Sequence, residues 1–235
     1  MNPLASMLRM DFQLQWRYGF YYAAMVITLV WIALLNFIPE PFIEMAIIVA
    51  IFTDLAIVGF YFIAGQVIFE KTEKTLYALV VTPIEFKHYL TSKLASLSFL
   101  ALIISVVVLL FTYGWHLNMA LFILGVISMS LVSLLVGAIA IAPFRSISTF
   151  ILPSQFYLMI LGLPLLEYFG LLKSPLFYLL PTQGAVVFLI ASFGSVETRE
   201  LIFALLNQVL WIVILIWISG IMFERFIVAG NGGAK

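Results

Sequence analysis

Asp54 is the only Asp, Glu, Lys or Arg inside the six long apolar runs of this 235-residue chain. An ionisable side chain at bilayer depth is costly, so its default reading is functional. No Lys or Arg in the runs can pair with it, which leaves a protonated carboxyl or one hydrogen-bonded to Ser or Gln of another run. Proton or cation handling, substrate contact and a structural hydrogen bond are all open to such a group. Helical spacing sets Ala50, Asp54, Tyr61 and Gly65 on one stripe, small or polar enough to face a neighbouring helix or a cavity. Ser130, Ser133 and Gly137 share a face of a later run, where small residues serve a pathway or helix packing. Gln155 and Tyr157, just after Pro153, complete a candidate pathway set of Asp54, Tyr61, Ser130, Ser133, Gln155 and Tyr157.

Other chemistry is excluded by what the chain lacks. It has no cysteine, hence no disulfide and no thiolate metal site. It has no Gly-x-x-x-x-Gly-Lys-Ser/Thr loop to cradle phosphates, and the terminal run Gly230-Asn231-Gly232-Gly233-Ala234-Lys235 has the wrong spacing. No enzyme activity, metal or cofactor is therefore expected on this chain. A net charge of zero gives no case for nucleic acid.

The elements that would position these residues are helices. The chain is 65% hydrophobic and 9% charged, and a bilayer core takes roughly 20 helical residues to cross. Six stretches qualify: Tyr21–Ile38, Met45–Phe69, Leu94–Tyr113, Met119–Ala142, Thr149–Leu166 and Leu201–Phe223. The fold expected is all-α, one polytopic domain over residues 1–235 in a bilayer. Short basic loops favour the cytoplasmic side. A cytoplasmic N-terminus puts nine of the eleven Lys and Arg there, with only Lys173 and Arg199 outside. Both termini are then cytoplasmic, His88 and His116 lie on opposite sides, and no cleaved signal peptide is expected.

Residues 3–19 place Leu4, Leu8, Phe12 and Trp16 four apart among polar residues, which predicts a helix lying in the membrane interface. Pro39 and Pro41 make a short turn between the first two runs, and Pro153 predicts a kink or break in the fifth. The external connection, residues 167–200, holds two apolar pieces too short to cross, Leu171–Leu180 and Gly184–Phe193. They read as two short re-entrant helices.

Seven of the 22 charged side chains fall in residues 70–93, EKTEKTLYALVVTPIEFKHYLTSK. Leu76, Leu79 and Val80 share a helical face ringed by charge, and Pro83 ends that helix. Such a loop either docks on a soluble partner or lies on lipid headgroups. The run from Thr75 to Pro83, following the second span and followed by Lys93 at the start of the third, resembles the membrane subunits of type-2 ABC exporters. Lys74 stands where that family usually has Gly, and Tyr77 where it usually has Glu. The resemblance implies that residues 70–93 carry a coupling helix for a separate cytoplasmic ATPase subunit, which would bind the ATP and Mg. The partner-binding residues it implies are Glu70, Glu73, Thr75, Leu76, Leu79, Val80, Thr82 and Pro83.

The reading is the membrane subunit of an exporter of amphipathic small molecules, such as a drug, antibiotic, peptide or lipid, paired with a second membrane subunit because six helices are too few to enclose a large path. The alternatives are a secondary transporter or channel using Asp54, and a heme-handling or assembly subunit related to the same exporters.

Overall fold

The computed structural model describes residues 3–76 and 86–228. Among them the regular structure is entirely helical. Helix α1 (Pro3–Arg17) meets α2 (Phe20–Leu35) at a bend of 65°. Gly19 makes that bend at φ +77°, a conformation open to glycine at no steric cost. A single 3-10 turn carrying Pro41 leads into α3 (Ile43–Asp54), a π-helical turn (Leu55–Gly59) and α4 (Phe60–Thr72). Then come α5 (Phe86–Thr112), α6 (Met119–Ile141), α7 (Ile147–Gly162), α8 (Pro164–Tyr168), α9 (Gln183–Phe193) and α10 (Thr198–Phe223). Five of these segments are long and apolar enough to cross a membrane, six if α1 and α2 count as one bent span. Each overlaps an expected run, although α5 begins at Phe86, well before the expected Leu94.

The central helix is α6, which packs on α4, α5, α9 and α10. Its small residues explain the position. A Cβ at Gly137 would lie 2.7 Å from both the Phe60 carbonyl oxygen and Ile63 Cγ2, and one at Gly125 would lie 3.0 Å from Leu189. Ser130 donates to Ser98 Oγ on α5 at 3.0 Å. Close backbone approach of this kind is how apolar helices associate where water provides no driving force.

Helix α1 buries Met7, Asp11 and Gln15 against its neighbours and leaves Phe12 and Trp16 exposed, Trp16 by 62%. The neighbouring helices present polar side chains at that point, so Asp11 and Gln15 turn toward them. Two expectations are corrected. First, the break expected at Pro153 is absent: α7 continues through it, with Ser154 and Gln155 donating to the Ile151 carbonyl beside it, and the interruption falls at Leu163-Pro164 instead. Second, Leu171–Leu180 holds one 3-10 turn, Pro175–Leu179, and no α-helix. Pro175 and Pro181 bracket it, and the residue before a proline is driven to extended backbone, as Leu180 is at ψ 145°.

The irregular connection is satisfied by α10. Asn207, Gln208 and Trp211 donate to the carbonyls of Tyr178, Pro181 and Leu179 at 2.9, 2.8 and 3.0 Å. Protein cover of this kind is what non-helical backbone needs in an apolar setting. Near the same end Tyr113 donates to Glu44 at 2.6 Å, and that bond holds its phenol above the usual range.

Candidate functional site

The ends of α4 and α5 that flank residues 77–85 meet the buried face of α1 in a polar cluster. Lys93 on α5 donates to Asp11 at 2.9 Å and also to Glu70 on α4. Asp11 further accepts from Gln66 at 2.7 Å and from Ser92. Glu70 accepts from Tyr89 at 2.8 Å, and the Lys93 ammonium lies 4.6 Å from the centre of the Tyr89 ring. Gln15 extends the cluster to Ser96 at 2.8 Å. All of these side chains are essentially inaccessible. Two carboxylates and one ammonium are thus locked among three elements, where a buried charge is tolerated only with full pairing and hydrogen bonding.

Two of the expected partner-binding residues also have partners within the chain. Glu70 is taken up by Lys93 and Tyr89, and Leu76, 1% exposed, packs with Met7, Tyr89 and Phe223 inside the chain. Both are satisfied internally. Glu73 pairs with Arg17 at 2.9 Å on the surface, and Thr75 donates to the Glu70 carbonyl. Leu79, Val80, Thr82 and Pro83 lie outside the described residues.

Asp54 accepts from the Trp31 indole on α2 at 2.9 Å. The Asp54 carboxyl lines a narrow gap with Trp31, Ala50 and Ser105. Tyr61 faces elsewhere. Its hydroxyl lies 2.7 Å from Ser154 Oγ and accepts from Gln155 at 2.9 Å, both on α7. The π turn between Asp54 and Tyr61 is the reason they part: inserting one residue into the helical repeat rotates the remainder of the helix by about 100°. The expected Asp54–Tyr61 stripe is therefore broken, while Tyr61 and Gln155, 94 residues apart, are brought together. Gln155 is exposed, and so is part of Tyr157, whose ring lies 6.3 Å from that of Phe60. Ser130 and Ser133 are buried where α6 meets α5 and the π turn, with Ser133 Cβ 3.6 Å from the position a Cβ would take on Gly59.

Residues 2–231 match the Fluoroquinolones export permease protein family. The chain belongs to this family. It is 36% identical over 198 residues, 84% of each chain, to the fluoroquinolones export permease proteins of two strains of Mycobacterium tuberculosis, CDC 1551 / Oshkosh and ATCC 25618 / H37Rv. The similarity to type-2 ABC exporter membrane subunits that rests on residues 75–93 holds over nearly the whole chain: the protein is a multi-pass export permease subunit.

Within this permease the buried cluster was not legible as a site. Asp11 and Gln15 share a face with Met7 at a spacing of four, but an amphipathic pattern does not say which face turns inward. The helix of Ser92, Lys93 and Ser96 is the stronger hint, because three polar residues within one turn at the mouth of an apolar run need partners.

The Asp54 geometry gives an expected result. Asp54→Asn keeps an acceptor for Trp31, so the permease should melt as the parent does and still export. Asp54→Leu orphans a half-buried indole N–H, costing about 1 kcal/mol, the low end of the range for an unsatisfied donor, and should lower the melting temperature in detergent. A stable Asp54→Asn protein without export would instead give the carboxyl a role in proton or cation handling.

Proposed function

We propose that this chain is one of two membrane subunits of an ATP-driven exporter that moves amphipathic, fluoroquinolone-like drugs out of the cytoplasm. Separate cytoplasmic ATPase subunits bind ATP and Mg, and both termini of this single membrane domain lie in the cytoplasm with most of its basic residues. The observation that carries the reading is the match over residues 2–231 to proteins named for fluoroquinolone export. The outward face of α7 supports it. Only 22% of the most apolar part of Ile147–Tyr168 is buried, against 56% for α6, yet its exposed Gln155 hydrogen-bonds half-buried Tyr61 of α4 beside buried Ser154. Hydrogen-bonding side chains are poorly suited to face lipid, so a second subunit and the drug path are placed along this face.

The test is uptake of a fluorescent fluoroquinolone into inside-out vesicles that hold the chain and its ATPase subunit. Uptake should require ATP and Mg. The Gln155→Leu, Tyr61→Phe double variant should slow it on the order of tenfold, since about 1.4 kcal/mol of lost hydrogen bonding corresponds to that factor. Uptake driven by a proton gradient without ATP would overturn the reading in favour of secondary transport.

A further inference from the structure

Lys71, the neighbour of Glu70 in the last turn of α4, points away from the Asp11–Glu70–Lys93 cluster. Its ammonium donates to three backbone carbonyls, Ala142 at 2.7 Å, Phe144 at 2.9 Å and Ile141 at 3.3 Å. These are carbonyls at the end of α6 and in the link to α7, groups that a helix terminus leaves without intrahelical partners. The three protons of the ammonium are thus used to cap one helix from another. A lysine on the surface would seek water or a carboxylate.

The link it holds is otherwise lightly tied. Phe144 packs edge-on to Phe150, at 5.4 Å between ring centres, and Phe150 stacks on Phe60 at 5.6 Å. Ser146 caps the start of α7 through Thr149. Consecutive helical residues diverge by about 100°, so Glu70 and Lys71 reach in different directions from one point on the backbone. Glu70 ties the end of α4 to α1 and α5. Lys71 ties it to the mouth of α7, one of the two least buried spans and the one that carries Gln155.

We propose that Glu70 and Lys71 form a transmission node, through which displacement of the end of α4 is passed by Lys71 to the start of α7 and by Glu70 to α1 and α5. The proposal rests on the exporter reading above and adds positioning residues to it. Neither side chain touches drug or nucleotide. Lys71 acts by holding the α6–α7 link to the end of α4, so that α7 moves with α4 when α4 is displaced. Without those bonds the ATPase subunit can still dock and turn over, but its stroke no longer reaches α7.

The experiment uses the full chain with its ATPase subunit in proteoliposomes and reads transported drug per ATP hydrolysed. Lys71→Met keeps the aliphatic stem and removes all three donors. It should bind the ATPase subunit at the parent ratio and hydrolyse ATP at the parent basal rate. Drug stimulation of hydrolysis should be lost, and drug moved per ATP should fall about fivefold or more, the lower end of what coupling between distant sites is worth. Lys71→Arg, which still donates to carbonyls, should restore both.

An unchanged ratio in Lys71→Met would overturn the node. So would equal loss of hydrolysis and transport, which would make Lys71 a support for docking. Should Lys71→Met fail to accumulate, Lys71→Gln, which keeps two amide donors on a shorter stem and so weakens the cap without abolishing it, should show a smaller fall in drug moved per ATP, and an unchanged ratio there would overturn the node; failure of both to accumulate would reduce Lys71 to a structural cap and reject the proposal. A parent chain with no ATP-dependent transport would reject the exporter reading and the node with it. That failure is distinct from a working exporter whose ratio ignores Lys71.

Discussion

Lys93→Met is expected to remove most folded protein from the membrane. The substitution keeps the length of the side chain but takes away the only ammonium between Asp11 and Glu70, both at most 2% exposed. Breaking a buried ion pair by deleting one partner costs about 3–5 kcal/mol, against a typical folding free energy of about 5–15 kcal/mol. The loss arises because two carboxylates remain buried near one another, with Gln66, Ser92 and Tyr89 as their remaining donors. Yield of monodisperse protein after detergent extraction measures it. Neutralising the carboxylates should reverse the damage: Glu70→Gln added to Lys93→Met should recover part of the yield, and Asp11→Asn on top should recover more. Replacing all the charges together is far cheaper than removing one. Parent-level yield of Lys93→Met alone would show that the triad carries no weight in folding.

That cluster marks the limit of what the sequence discloses. Spans were legible because twenty apolar residues in a row have few other solutions, and Gln183–Phe193 was legible as a short helix because Pro181 and Gly194 bound it. The π turn at Leu55–Gly59 was not. It depends on how α3 and α4 seat on α6, where Gly59 faces Ser133 and Phe60 lies against Gly137, and those contacts join residues some 75 positions apart. A helical wheel drawn through Asp54 and Tyr61 therefore fails even though both ends are helix.

The internal partners of the loop were hidden for a related reason. Leu76 and Glu70 carry the amphipathic signal of a docking surface, and nothing local in the sequence shows that Met7, Tyr89 and Lys93 of the same chain also contact them. Pairing Tyr61 with Gln155 was equally beyond local pattern, although each stands out as a polar residue in an apolar run. The residue types singled out Tyr61 and Gln155 as candidates, and only the packing of α4 against α7 brings the two together.

Gly184→Val is expected to unseat α9 while leaving the six spans in place. A Cβ on Gly184 would lie 2.6 Å from the Ala204 carbonyl oxygen and 2.9 Å from Gln208 Cγ, so even alanine meets rigid backbone of α10. Valine adds two methyl groups to that contact, and overpacking of this kind costs about 1–3 kcal/mol or more. It also displaces the Gln208 amide from the Pro181 carbonyl, loosening the connection that enters α9. The absence of native cysteine makes the consequence readable. Ser192→Cys, at a site 2% exposed, should resist an impermeant maleimide on intact cells, whereas Ser195→Cys, exposed just beyond α9, should label. In the Gly184→Val background Ser192→Cys should label as well. Gly162→Ala, whose added methyl would meet nothing within 4 Å, should leave the pattern unchanged. Continued protection of Ser192→Cys beside Val would show that α10 yields to α9. Failure of Ser195→Cys to label on intact cells would place residues 167–200 on the cytoplasmic side and reverse the proposed orientation, because the short basic loops at the other end set that orientation through their Lys and Arg.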